Sequence, residues 1–129
     1  MTLARVLLIG SAIIFVAVGA AFLFIPKTYA EVLEISLPTA MARTDVRATY
    51  GGLELGAGLF LVLCARRKEW IRPGLWALGL ATGGFASGRL IGLMFERTLS
   101  PLMLVFLAME IVVTLLTFIS LRRLGTPAR

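Results

Sequence analysis

Glu54, Arg89 and Glu110 stand well inside long apolar runs of this 129-residue sequence, and Arg47 stands nearer the end of one. A charge in hydrocarbon is costly, so such residues face a bundle interior or a water-filled cavity and pair there. The four charges sum to zero. A guanidinium carries five N–H donors and can bridge two carboxylates. Three chemistries fit this set. The first is a structural ion network that fixes helix register. The second is a polar cavity that binds a head group or a proton. The third is acid–base catalysis, with Glu54 or Glu110 as acid or base and Arg89 holding an anion. No residue is assigned a catalytic role, because the same atoms serve an ion pair equally well.

Other chemistry is excluded by composition. The chain has no histidine and one cysteine, Cys64. An internal disulfide, a cysteine redox pair and imidazole ligation of haem, zinc or copper are therefore out of reach. No metal or cofactor is expected. Cys64 closes an apolar run and reads as a small packing residue.

The elements that position these charges are membrane helices. The chain is 59% hydrophobic and only 16% charged, with a mean hydropathy of +0.95. A soluble domain of this size cannot bury so much apolar surface. About 20 apolar residues cross a bilayer, and four such runs occur, at about 6–25, 46–65, 74–95 and 99–121. The fold class is all-α: an integral membrane four-helix bundle in one transmembrane domain. The first run exceeds the 7–15 residues of a signal-peptide core and is read as a retained helix. Residues 26–45 form an outer loop, with a short interfacial helix over about 29–37 ended by Pro38. Thr44 or Asp45 caps the second span. Pro73 or Gly74 opens the third, and Pro101 lies in the first turn of the fourth.

Depth and helical phase bring the charges together. At about 1.5 Å per residue, Glu54 lies about 10 Å, Arg89 about 9 Å and Glu110 about 16 Å below the outer surface. Arg47, Tyr50, Gly51, Glu54 and Gly58 recur at i, i+3, i+4, i+7 and i+11, one face of a helix. The expected site is Arg47, Tyr50, Glu54, Arg89 and Glu110, in the outer half of the membrane. Gly51, Gly52, Gly56, Gly84, Gly88 and Gly92 supply close helix contacts, inside the bundle or along a seam between copies.

The net charge is +6. The basic residues cluster at the ends of apolar runs rather than in a stripe with aromatics, so nucleic acid is not an expected partner. Arg5, Arg66, Arg67, Lys68, Arg72, Arg122, Arg123 and Arg129 share one side. Lys27, Arg43, Arg47 and Arg97 share the other. The positive-inside rule puts both termini in the cytoplasm.

The second span carries Arg47-Ala-Thr-Tyr50-Gly51-Gly52-Leu-Glu54-Leu-Gly56-Ala-Gly58. It resembles the Arg-x-x-Tyr-Gly-Gly signature, followed by spaced glycines, of a family of small four-helix bacterial membrane proteins of unknown role. Gly88-Arg89-Leu-Ile-Gly92 and Glu110 match further elements of that family. The resemblance covers about residues 5–122, and the family is similar in size and hydropathy to DoxX-like proteins. It implies a multi-pass protein of the bacterial inner membrane and one polar site, and it transfers no enzyme chemistry. The reading is a ligand-binding or accessory membrane protein. Its partners would be membrane lipid, a small amphipathic ligand, and a second copy or a larger membrane complex. The alternatives are a proton-coupled small transporter and a lipid-modifying enzyme using Glu54 or Glu110 with Arg89.

Overall fold

The computed structural model describes residues 2–97 and 100–125, which form helices and connecting turns with no strand among them. Four helices are long and apolar enough to cross a membrane: Thr2–Phe24, Ala40–Arg66, Lys68–Glu96 and Pro101–Arg123. The chain is therefore all-α, with four candidate spans. It divides into two compact units, Ile9–Leu63 and a second made of Met1–Leu8 with Cys64–Arg129.

The Ile9–Leu63 unit contains most of α1 (Thr2–Phe24), then α2 (Pro26–Val32), α3 (Ala40–Val46), a π-helical segment (Arg47–Gly52) and most of α4 (Leu53–Arg66). Its centre is a close antiparallel contact between α1 and α4. A Cβ built on Gly19 would lie 2.5 Å from the Leu55 nitrogen, and one on Gly51 would lie 2.8 Å from Leu23 Cγ. One on Gly58 would lie 2.7 Å from Val16 Cγ2 and 3.0 Å from the Ala12 oxygen. In lipid, helices gain little from excluding water, so this closeness of backbone to backbone is what holds them.

The connection between these helices differs from the sequence expectation. The short helix is Pro26–Val32, not 29–37. Pro26 opens it, where a missing N–H is no loss. It closes in a Schellman arrangement: Ile35 N–H donates to the Ala30 oxygen at 2.8 Å and Glu34 N–H to the Glu31 oxygen at 3.0 Å. Glu34 takes the left-handed position usually given to glycine, with φ 58°. The helix of the second span begins at Ala40, so the expected cap at Thr44 or Asp45 is replaced by Thr39. Thr39 is extended and its hydroxyl accepts from Ala42 N–H at 3.0 Å. The charged residues around Asp45 suggested a helix boundary, but a helix can run on past the hydrocarbon. Thr44 lies inside it and donates to the Ala40 oxygen at 3.0 Å.

The second unit contains the start of α1, the end of α4, a 3-10 turn (Lys68–Trp70), α5 (Ile71–Glu96) and α6 (Pro101–Arg123). α5 begins at Ile71, ahead of the expected Pro73 or Gly74, because Pro73 fits in a first turn, where no N–H is needed. Gly74 is pressed against the buried Cys64: a Cβ there would lie 2.5 Å from Cys64 Cβ.

α5 and α6 pack antiparallel. Trp76 meets Phe118 edge-on at 5.7 Å, and Gly79 lies against Thr117 and Gly83 against Thr114. Pro101 opens α6. At its other end, Gly125 takes φ +67°, and Arg72 Nη1 donates to the Gly125 carbonyl. The expected start of the fourth span at about 99, and Arg129 of the orientation count, lie outside the described residues.

Candidate functional site

In the second unit the site is a bridge between α5 and α6. Arg89 Nε donates to Glu110 Oε1 at 2.8 Å and to Oε2 at 3.0 Å. Helical sequence alone puts these residues far apart, but the antiparallel packing aligns them. The guanidinium lies over the Phe106 ring, 5.0 Å from its centroid, a cation–π contact from one turn before Glu110. The Arg89 side chain is 32% exposed and that of Glu110 14%. Because Nε alone serves both carboxylate oxygens, Nη1 and Nη2 of Arg89 carry no hydrogen bond among the described residues.

A row of hydroxyls leads away from this pair. Glu110, Thr114, Thr117 and Ser120 recur at steps of four, three and three, which is one face of α6. Thr82 Oγ1 donates to the Leu78 carbonyl at 2.9 Å and lies 2.8 Å from Thr114 Oγ1. A hydroxyl has one proton, so Thr114 is the donor to Thr82. Thr117 is fully buried, and its Oγ1 has no hydrogen-bond partner among the described residues. Sequence reasoning did not pick out these hydroxyls. Their three-to-four spacing from Glu110 was the available signal.

In the Ile9–Leu63 unit, the face carrying Arg47, Tyr50, Gly51 and Gly58 is turned toward α1. Arg47 Nε donates to the Leu23 carbonyl at 3.0 Å, satisfying one of the carbonyls left open at the α1 C-terminus. Tyr50 packs on Phe22 at 5.2 Å between ring centroids, and Phe22 meets Tyr29 at 5.8 Å. The backbone widens to a π-helix over Arg47–Gly52. Such bulges recur at functional sites. Glu54 follows two residues later, half-buried, with no hydrogen bond or ion pair among the described residues.

Of the five residues expected at the site, two lie in one compact unit and three in the other. Arg89 and Glu110 are joined in one unit, and Arg47, Tyr50 and Glu54 lie along one segment of the other. Of the six glycines expected at helix contacts, Gly51 is tightly packed. A Cβ at Gly56, Gly84, Gly88 or Gly92 would meet no atom within 4 Å, and one at Gly52 would meet only the Arg47 oxygen, at 3.8 Å. The tight contacts at Gly19 and Gly74 were not anticipated. No group of three or more potential His, Cys, Asp or Glu metal ligands occurs among the described residues.

Four long apolar helices, with an arginine–carboxylate pair between two of them, define a small multi-pass membrane protein. The chain belongs to the DUF4345 family, described as a domain of unknown function, which it matches over residues 3–121. No curated protein and no solved structure matches it.

Proposed function

We propose that this protein is a ligand-binding or accessory protein of the bacterial inner membrane that takes the polar end of an amphipathic molecule at Arg89. The observation that carries this reading is the geometry of the Arg89–Glu110 pair. Glu110 occupies Nε, while Nη1 and Nη2 are without partners among the described residues, on a side chain still 32% exposed. Unpaired donors in hydrocarbon favour a ligand oxygen. Glu110 is engaged by Arg89, which argues against its use as a free base and favours binding over catalysis. The proposal includes cytoplasmic termini, supported by the basic clusters, and a distant relation to DoxX-like proteins, supported by size and hydropathy. The test is native mass spectrometry of wild type and the Arg89→Leu, Glu110→Leu double variant, purified from the same membranes in mild detergent. A bound lipid-like molecule on wild type and absent from the double variant is expected. Identical spectra, with both proteins folded, would refute binding at this pair.

A second reading, proton-coupled transport, is favoured by Glu54 alone: a half-buried carboxyl within the second span, without a partner among the described residues. A hydrophobic carbodiimide adds across free carboxyl groups in the membrane. It should label Glu54 and spare Glu110, which Arg89 engages. Equal labelling, or none at Glu54, would remove the support for this reading.

A further inference from the structure

Arg89 presents its terminal donors in a setting whose charge is already balanced. Its one formal charge is matched by Glu110, whose two oxygens both accept from Nε. An anionic head group binding to the outer edge of the guanidinium would bring a net negative charge into the hydrocarbon and compete with Glu110 for the same cation. Uncompensated buried charge is what membranes penalise most. An uncharged oxygen adds hydrogen bonds and no net charge.

Depth points the same way. Arg89 is seven residues from Glu96, the last residue of α5, so it lies about 10 Å in from that helix end at a rise of about 1.5 Å per residue. Phosphate groups stay at the membrane surface, whereas a lipid headed only by hydroxyl and ester oxygens sinks below them. Phe106 covers one face of the guanidinium at 5.0 Å, and the N–H bonds of Nη1 and Nη2 point outward in the guanidinium plane, where a ligand oxygen would accept them. That geometry suits a carbonyl or hydroxyl oxygen.

From these observations we infer that the ligand of the Arg89–Glu110 pair is an uncharged glycerolipid-like molecule, recognised by its hydroxyl and ester oxygens, and not an anionic phospholipid. This inference rests on the binding reading above.

The experiment offers the purified protein an equimolar mixture of diacylglycerol and phosphatidic acid with the same acyl chains, which differ only in the phosphate. Bound lipid is counted by native mass spectrometry on wild type and on the Arg89→Leu, Glu110→Leu variant, whose helicity and melting are measured alongside. Replacing a whole buried ion pair by apolar residues is often tolerated, so that variant separates loss of binding from loss of fold. The signal is the difference between the two proteins, which cancels anionic lipid held at the basic helix ends. Wild type should retain diacylglycerol at least ten-fold over phosphatidic acid in this difference. A difference dominated by phosphatidic acid would overturn the inference and leave the binding reading intact. No difference for either lipid would also overturn the inference, and the binding reading would then be decided by the co-purification experiment above.

Discussion

Arg47 donates its Nε–H to the carbonyl of Leu23 at 3.0 Å, across 24 positions of sequence, and this bond ties the start of the π-helical segment to the end of α1. At that helix terminus the Arg47 cation also meets the negative end of the helix dipole. Arg72 donates through Nη1 to the Gly125 carbonyl, just beyond the end of α6.

Removing the Arg47 bond should loosen the end of α1. Arg47→Leu is expected to lower stability by about 1.5–3 kcal/mol, the range for a hydrogen bond to a charged group, with Arg47→Lys losing less. Thermal unfolding in a mild detergent measures both. Equal melting for wild type and Arg47→Leu would show that the cap contributes nothing.

Arg89→Ala leaves the Glu110 carboxylate unpaired and should destabilise by about 3–5 kcal/mol. The double substitution to leucine should cost far less than the sum of its two single changes. Unfolding of all four proteins in one cycle gives the coupling, and simple additivity would mean the pair contributes no stability.

The glycines separate into two classes. Gly58→Ala would put a methyl 2.7 Å from Val16 Cγ2 and should cost about 1–3 kcal/mol through overpacking. Gly88→Ala meets nothing within 4 Å and should be neutral or slightly stabilising, since alanine is the better helix former. Melting temperatures of the two variants, side by side, decide this, and reversed ranks would contradict the α1–α4 contact.

The hydroxyls of the α5–α6 seam should also behave unequally. Thr114→Val leaves Thr82 without its donor and should cost about 1 kcal/mol. Thr117→Val removes an unpartnered buried hydroxyl, so it should be neutral or stabilising. Should Thr117→Val instead prove strongly destabilising in detergent, its hydroxyl must have a partner.

Composition and hydropathy by themselves determined the all-α class and the four candidate spans, because a run of about 20 apolar residues has one low-energy state in a bilayer. The presence of charges inside those runs was equally plain, since each stands out against its apolar neighbours. Tertiary structure decided what each charge does. Arg47, Tyr50 and Glu54 share a face by periodicity, yet only the packing of α1 shows that Leu23 and Phe22 take up the first two. The same holds for glycine: Gly58 and Gly88 look alike in sequence, and only the approach of Val16 to one of them separates a helix contact from open space. Arg89 and Glu110 lie 21 positions apart, and what joins them is the antiparallel register of α5 and α6. Spacing along one helix fixes which residues share a face, but the partner that face meets depends on contacts between distant segments, which no local pattern encodes.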